Sequence, residues 1–290
     1  MTMKNIFRLL CLLLCLSLCA PALALEPLPM DSDVGGYPWK DENVLDKYEY
    51  RDESIHVKLE KVKHEGVWMI LAHVTISDPS QIRTAASYGR YDDQRYVQPK
   101  LIAKSVNAVL AMNGDFFKYH DFGYLVRQGQ VLRKNPDGNH DVLLIDNFGD
   151  FHVVPRGTME TIQAVIDALP EGHHVVNSFN FGPILVLDGV AQDTTYKYYQ
   201  PGERQQRMAI VQTGELSYVV VQAAGKVDGS HGFTMRRFAD AIAQLIPDAK
   251  VAFNMDGGGS SYVILMDRKI NDNDGARSIC DILYFASLVP

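Results

Sequence analysis

The stretch at residues 254–261 (Asn-Met-Asp-Gly-Gly-Gly-Ser-Ser) constrains the fold most, because it interrupts an apolar run with an acid, hydroxyls and three glycines. Residues 251–255 before it and 262–266 after it are apolar and predict a buried strand on each side of a tight turn. Consecutive glycines allow positive φ angles, and their N–H groups can form a concavity that binds anions. The neighbouring acid and hydroxyls favour an anion-binding site over a flexible hairpin tip.

A second polar cluster follows another predicted buried strand, at residues 108–112. It reads Asn-Gly-Asp-Phe-Phe at 113–117, which is the composition of a site and not of a core. Pro99 opens a short predicted helix ahead of this strand. We expect the strand ends that carry Asn113, Arg207 and Asp256 to converge at one edge of the sheet.

Short β-rich runs and two amphipathic segments predict the remaining elements. The predicted strands are 55–59 and 67–76, which form a hairpin, and 124–131, 142–145, 151–154, 184–187, 208–211, 217–222 and 279–285. The predicted helices cover 158–169 and 234–246, the second with Thr234 as its N-cap. The predicted fold class is α+β: a mixed, largely antiparallel sheet with packed helices in a single domain.

The first 24 residues predict a signal peptide, because Lys4 and Arg8 precede an apolar run that ends in small residues before Leu25. We therefore expect a secreted or periplasmic product with no stable membrane insertion after cleavage. Cys19 leaves a lipoprotein as an alternative, although the bulky Leu18 precedes it. The remaining chain is divided into a lead-in and strand hairpin over 25–84 and a main domain over 85–290.

The mature chain is acidic. The sequence has 28 basic and 35 acidic side chains, and loss of Lys4 and Arg8 leaves 26 against 35, a net charge of −9. Nucleic acid and anionic lipid are therefore not expected as partners, since both bind clustered basic residues. Cys280 is the one cysteine after the predicted cleavage site, so no internal disulfide is expected.

Several motifs in order resemble the phosphodiester glycosidase domain family over residues 85–288. The similarity rests on residues 113–117, Phe-Gly-Pro at 181–183, Arg207, Gly-Phe-Thr at 232–234 and the glycine stretch at 254–261. The chain departs from the family in having Arg236 and Arg237 where an acid is frequent and Gly-Lys at 225–226 where Asp-Gly-Arg is usual.

The resemblance implies hydrolysis of a sugar joined through its anomeric oxygen to a phosphate. Such a reaction needs a carboxylate that stabilises an oxocarbenium-like state, attacks it or activates water. Asp256 is the first candidate and Asp115 the second, with their separation deciding between retention and inversion. Arg207 and the amides of the glycine stretch are expected to stabilise the phosphate leaving group.

The predicted substrate-binding residues come from both polar clusters and from the segment before the second helix; they are Asn113, Gly114, Phe116, His231, Thr234, Asn254, Gly257, Gly258, Gly259, Ser260 and Ser261. The two asparagines either hydrogen-bond the sugar or brace the loops. His231 is either a proton shuttle or a surface residue. Exposed tyrosines at 196, 198 and 199 are candidates for stacking on a sugar.

No cofactor is expected, because the histidines lack ligand spacing and the turn at 271–275 lacks the first acid of a calcium loop. A structural divalent ion stays an open possibility.

The expected partner is a carbohydrate or sugar phosphate. Two functions remain: an exported hydrolase of sugar phosphodiesters or related glycosides on envelope or extracellular glycans, and a non-catalytic module that binds phosphorylated or anionic glycans. The paired acids favour the hydrolase.

Overall fold

A computed structural model of the chain describes residues 25–93, 95–194, 201–227, 229–272 and 275–290. The predicted signal peptide and the three tyrosines at 196, 198 and 199 lie outside the described residues. Within them the helices are α1 (Pro99–Ser105), α2 (Met159–Asp167) and α3 (Met235–Leu245). None of the helices in these ranges is long and apolar enough to cross a membrane.

The strands are short and follow one another closely along the chain. They are β1 (Val44–Asp46), β2 (Glu49–Arg51), β3 (Ile55–His64), β4 (Val67–Ile76), β5 (Ile82–Ala86), β6 (Ala108–Asn113), β7 (Gly123–Arg127), β8 (Gln130–Asn135), β9 (Asp141–Asp146), β10 (Phe151–Val154), β11 (Val175–Phe181), β12 (Ile184–Leu187), β13 (Val190–Ala191), β14 (Arg207–Gly214), β15 (Ser217–Ala223), β16 (Val251–Met255), β17 (Val263–Leu265), β18 (Arg268–Lys269) and β19 (Asp281–Ala286).

Two large antiparallel sheets organise the molecule. A nine-stranded sheet has the order β1-β2-β3-β4-β15-β14-β16-β12-β13, and a five-stranded sheet has the order β18-β17-β6-β19-β5. Strands β10-β9-β11 form a three-stranded sheet and β7-β8 a hairpin. The predicted α+β class with a largely antiparallel sheet in a single domain is confirmed.

Alternate residues of the nine-stranded sheet enter two different apolar layers, as expected for a strand buried on both faces. On β14, Met208 and Ile210 join the core that also contains Val109 and Leu283 from the five-stranded sheet. The residues between them on β14 face helix α3, which contributes Phe238 and other side chains. The helix begins where the sequence predicts, because the Thr234 side chain accepts a hydrogen bond from the N–H of Arg237.

In the middle of the chain one sequence expectation is wrong and one strand was not predicted. Residues 124–131 do not form one strand, since Gln128 and Gly129 adopt positive φ angles of 45° and 72° and turn the chain between β7 and β8. Strand β11 was not expected, because polar residues interrupt its apolar pattern. Those residues are buried and bonded instead: Asn177 and Ser178 hydrogen-bond the backbone of the β7–β8 hairpin.

The N-terminal lead-in is attached to the domain. The buried Arg83 side chain donates hydrogen bonds to the carbonyls of Pro29 and Ser32 at 3.0 and 2.7 Å. The predicted boundary at residue 85 falls inside β5, which pairs with β19. Hairpin β3–β4 pairs with β15 in the nine-stranded sheet, so both predicted segments share the same sheets.

The glycine stretch joins the two large sheets. Strand β16 before it belongs to the nine-stranded sheet and β17 after it to the five-stranded sheet, so the hairpin-tip alternative is wrong. Residues Gly258–Ser260 form a short 3-10 turn between them. The turn at 271–275 was expected to be exposed, but Asn271 is buried and its side chain contacts Ser261 and Val263.

Candidate active site

Asn113 ties the two polar clusters together at the ends of β6 and β16. Its Nδ2 donates to the carbonyl of Asp256 at 2.7 Å, and its Oδ1 accepts from the N–H of Tyr262 at 3.1 Å. The side chain is 1% exposed. This geometry fits the bracing alternative for Asn113, since both ends of its amide contact the backbone on either side of the glycine stretch.

The three glycines meet different surroundings. A Cβ on Gly257 would lie 2.7 Å from the carbonyl oxygen of Gln206, and a Cβ on Gly259 would overlap the carbonyl oxygen of Gly275. Gly258 has a φ of 53° but open space around it, with the nearest side-chain atom 3.9 Å from an added Cβ. The outer two glycines therefore permit close backbone packing, whereas Gly258 permits a left-handed conformation.

Most of the amides in the stretch are used inside the protein. The N–H of Gly258 donates to the carbonyl of Gln206, and those of Ser260 and Ser261 donate to the carbonyls of Gly257 and Gly258. An anion concavity built from these three N–H groups is therefore not available to a ligand. The stretch acts instead as a rigid connection that fixes Asp256 at the end of β16.

Asp256 lines a narrow cleft where the two polar clusters meet. The cleft has a volume of about 10 Å³, which is room for roughly one water molecule. Its walls are formed by Asn113, Gly114, Phe116, Tyr119, Asp256, Ser260, Ser278, Ile279, Cys280 and Asp281. Five of the predicted site residues thus come together, and a sugar ring would have to lie at the mouth of the cleft.

Burial raises the pKa of Asp256 to about 6. Hydrogen bonds from the Ser260 hydroxyl and the Gly257 N–H and the charge of Arg277 oppose this effect, and the charge of Asp115 adds to it. A carboxyl group with such a pKa changes protonation near neutral pH, which suits a general acid or base.

Asp115 does not line the cleft and is fully buried in an ion-pair cluster. Its Oδ1 lies 2.9 Å from Nη2 of Arg127, and its Oδ2 accepts from the N–H of Asn180 at 2.8 Å. The same Arg127 nitrogen lies 2.9 Å from Oδ2 of Asp281. Because both oxygens of Asp115 are engaged in the interior, the arrangement favours a supporting role over direct contact with substrate.

Asp281 is the second carboxyl group at the cleft, and sequence analysis missed it. Burial and the charge of Asp115 raise its pKa, while Arg127 opposes them. Gly114 is required beside it, since a Cβ there would overlap the carboxyl group of Asp281. The available signal was an acid at the start of an otherwise apolar strand.

Aromatic side chains form one wall of the cleft. Phe116 adopts a left-handed φ of 58°, and its ring packs edge-on against Phe181 and His120 with centroids 5.1 and 4.8 Å apart. Tyr119 contributes an exposed ring 6.1 Å away. Strained backbone of this kind is frequent at functional sites, and the exposed ring suits contact with a sugar.

Arg277 is a second residue that the sequence analysis did not select. Its backbone N–H donates to the carbonyl of Gly259, and its guanidinium lies over the glycine stretch, with Nη2 4.0 Å from the position of a Cβ on Gly258. Within the described ranges this exposed guanidinium has no hydrogen-bond or ion-pair partner. Its positive charge opposes the rise in the pKa of Asp256, so it contributes positive potential near that carboxyl group.

Arg207 lies beside the glycine stretch but is directed at loops of the nine-stranded sheet. Its Nε donates to the carbonyl of Phe233 at 3.2 Å and its Nη2 to that of Glu203 at 2.8 Å. Burial lowers the pKa of Arg207 to about 10, and the charge of Glu203 opposes this. These contacts favour a bracing role over contact with phosphate at the cleft.

The remaining predicted residues lie outside the cleft. His231 is exposed beside Gly66, its Nδ1 2.8 Å from Arg204, so it does not reach Asp256 as a proton shuttle in this arrangement. Thr234 caps α3. The Nδ2 of Asn254 donates to the carbonyl of Gly182 at 2.7 Å, while its buried Oδ1 has no partner among the described residues.

Among the described residues, one cluster at the C-terminal end of β9 could hold a metal ion. It consists of Asp146, Asp150 and His173. Burial raises the pKa of Asp146, but hydrogen bonds from His152, His173 and the local backbone outweigh this and lower it to about 2. These donors already contact the Asp146 carboxylate in the absence of an ion.

The comparisons with known proteins agree with this architecture. The family model for phosphodiester glycosidase matches residues 106–286. The catalytic domain of zebrafish N-acetylglucosamine-1-phosphodiester alpha-N-acetylglucosaminidase, auto-inhibited by its pro-peptide, is similar with a TM-score of 0.63 and 15% identity, over 80% of this chain and 83% of that one.

A hypothetical protein from Synechocystis is also similar, with a TM-score of 0.57 and 16% identity over 80% of this chain and 62% of that one. At these identities both structures bear on the fold alone. No curated protein matches the sequence.

Proposed function

The chain belongs to the phosphodiester glycosidase family, and from this we propose that it is an exported hydrolase of sugar 1-phosphodiesters or closely related glycosides. The name of the zebrafish relative states a sugar 1-phosphodiester as that protein's substrate, which supports this substrate class here. The predicted signal peptide supports export to the envelope or the extracellular space, where such glycans occur.

The observation that carries the proposal is the environment of Asp256. Its carboxyl group lines a cleft with room for roughly one water molecule, and burial raises its pKa to about 6. A carboxylate of raised pKa is a stronger base that is still ionised at neutral pH. We assign Asp256 as the general base that activates the attacking water.

In the proposed step, the water oxygen forms a bond to the anomeric carbon while the bond from that carbon to the phosphate oxygen breaks. The water proton passes to Asp256, and the phosphate leaves as a monoester with the electron pair of the broken bond. A phosphate is a weakly basic leaving group and needs little help from a general acid. Positive charge near its oxygens stabilises it instead.

Arg277 is the proposed source of that charge. Its guanidinium lies over the glycine stretch and acts on Asp256, and the planar group suits bidentate contact with phosphate. The other polar groups are then positioning groups. Arg207 and Asn113 hold the glycine stretch and its neighbouring loops, and the Asp115–Arg127–Asp281 cluster supports the floor of the cleft. Tyr119 is proposed to contact the sugar at the mouth.

A screen of the purified chain over residues 25–290 tests the proposal. The substrates are aryl glycosides and sugar 1-phosphodiesters, each with and without chelator. Asp256→Asn should lower turnover by about 10²–10⁴-fold. Asp248→Asn, at an exposed position, is the matched loss of one carboxylate and should leave turnover unchanged. Saturable binding of a sugar phosphate with no turnover of any substrate would instead identify the non-catalytic glycan-binding module.

A further inference from the structure

A second and much larger cleft opens beside the glycine stretch. Its volume is about 500 Å³, which lies in the range of ligand-binding pockets. Lys61, Trp68 and Gln222 line it from the nine-stranded sheet, and Asn271 and Asp272 line it from the segment that follows β18. The cleft therefore opens between the two large sheets.

The strand register places the key side chains on one face. Lys63 pairs with Trp68 and Lys61 with Ile70 across β3 and β4, and Ile70 pairs with Gln222 across β4 and β15. Directly paired residues of an antiparallel sheet point to the same side. The face is the one whose interior residues pack against the five-stranded sheet.

Four nitrogen donors on this face lack an acceptor among the residues that the structure describes. Nζ of Lys61 and of Lys63 lie 5.4 and 5.2 Å from the Trp68 ring centroid. Neither ammonium group, nor Nε1 of Trp68, has a hydrogen-bond or ion-pair partner within the described ranges. Nε2 of Gln222, a residue only 1% exposed, is also without a partner there.

An unpaired buried amide is unfavourable unless a ligand or water satisfies it. Asp272 is the one acid among the described lining residues, so donors outnumber carboxylates. This chemistry fits a ligand rich in oxygen that carries negative charge.

The larger cleft is joined to the cleft at Asp256 through short contacts. Nδ2 of Asn271 donates to the carbonyl of Ser261 at 2.9 Å. Gly225, next to the lining residue Ala224, packs against the Gln206 side chain, and the Gln206 carbonyl accepts the N–H of Gly258. One wall of the larger cleft therefore contacts the glycine stretch through Asn271, and the other is connected to it through Gln206.

We propose that this cleft is a second anion subsite, which binds an acidic group of the substrate on the leaving-group side of the phosphate that lies at Asp256. Lys61 and Lys63 contact that acidic group, and Trp68 and Gln222 contact neighbouring oxygens. The inference rests on the proposed function for its substrate class. The small cleft at Asp256 has room for the attacking water alone, and the larger cleft supplies the volume that the substrate requires.

Tryptophan fluorescence gives a direct binding test, because the chain has two tryptophans. In a Trp39→Phe protein, Trp68 is the single remaining fluorophore. Titration with glucose 1-phosphate, glucose and inorganic phosphate should change its emission saturably, with glucose 1-phosphate binding at least tenfold more tightly than glucose. No change in emission with any of the three probes would overturn the proposal.

The Lys61→Met/Lys63→Met protein should bind glucose 1-phosphate at least tenfold more weakly with little change for glucose. Gln222→Met, which keeps the buried volume, should weaken glucose 1-phosphate binding severalfold. Lys58→Met is the matched control, since Lys58 lies on the same strand but points to the opposite face and pairs with Glu49. Equal affinities in the double lysine variant and the Lys58 variant would contradict the assignment.

Separate measurements of ligand binding and of substrate turnover distinguish failure of the cleft assignment from failure of the proposed hydrolase function. If the Trp68 signal responds as expected but no phosphodiester is hydrolysed, the cleft is supported and the hydrolase is not. If hydrolysis occurs and the double lysine variant leaves KM unchanged, the hydrolase stands and the cleft assignment fails.

Discussion

At Asp256, the burial that makes the carboxyl group a suitable base also destabilises the folded protein once the group is ionised. Its folded pKa of about 6 lies above the value of roughly 3.9 in an unfolded chain. The folded state therefore binds the proton more tightly, and stability is lost as pH rises from about 4 through 6.

Asp256→Asn should therefore raise the thermal stability of the protein at pH 8. A shift of about two pKa units corresponds to roughly 3 kcal/mol as an upper value. The gain should disappear near pH 4, where the folded parent is already protonated. Thermal unfolding of both proteins across this range measures it, with Asp248→Asn as the control; a difference independent of pH would show that the pKa of Asp256 is not raised.

The buried cluster of Asp115, Arg127 and Asp281 predicts that replacing Asp115 lowers the stability of the folded protein. Asp115→Asn removes one of the two carboxylates that face Arg127, and breaking such a buried pair costs about 3–5 kcal/mol. Urea unfolding should detect this loss directly. A variant with unchanged stability but abolished turnover would instead restore Asp115 as a catalytic carboxylate.

Within the glycine stretch, two neighbouring glycines are required for different reasons, one for its backbone conformation and the other for close packing. Gly258 combines a left-handed φ with open space, and Gly259 lies directly against the carbonyl of Gly275. The two positions therefore respond to a methyl group for different physical reasons.

Gly258→Ala should cost about 1 kcal/mol, the usual strain for this conformation, and should largely keep turnover. Gly259→Ala should cost at least about 3 kcal/mol and abolish turnover, because the connection between the sheets must move and take Asp256 with it. Urea unfolding and initial rates on one phosphodiester substrate measure both effects. Equal behaviour of the two variants would contradict the packing described here.

Across the whole molecule, the lead-in is part of the folded domain and is attached through Arg83. Its guanidinium is 1% exposed and relies on the carbonyls of Pro29 and Ser32. Loss of these acceptors leaves Nη2 of the buried guanidinium without a hydrogen bond, while Nε and Nη1 keep theirs to Tyr284 and Ser80.

Deletion of residues 25–36 should lower the free energy of unfolding by roughly 3 kcal/mol or more. In a protein that already carries Arg83→Met, the same deletion should lower the free energy of unfolding by less, because no buried guanidinium then loses its acceptors. Urea unfolding of the four proteins in this cycle measures the coupling. Additive losses would mean that the segment does not stabilise Arg83.

Sequence analysis predicted the fold class and both polar clusters, because alternating apolar residues, the Thr234 cap and the glycine stretch are local signals. The local patterns favour Asp115 and Arg207, whereas the cleft at Asp256 is lined by Asp281 and the guanidinium over the glycine stretch belongs to Arg277. That choice depends on which strand ends meet: β19 pairs with β6 and brings Asp281 to Asn113. This pairing joins residues that are far apart in the chain, and local sequence patterns do not predict which distant strands pair.

The pH dependence of kcat/KM on a sugar 1-phosphodiester tests most directly whether Asp256 is the general base. Because the base must be ionised, kcat/KM should rise about tenfold per pH unit below the pKa of about 6 and level off above it. Asp256→Asn should leave a residual rate that is lower by about 10²–10⁴-fold and independent of pH in this range. A parent rate that is flat or falls as pH rises through 6, or an Asn variant within tenfold of the parent, would contradict the assignment.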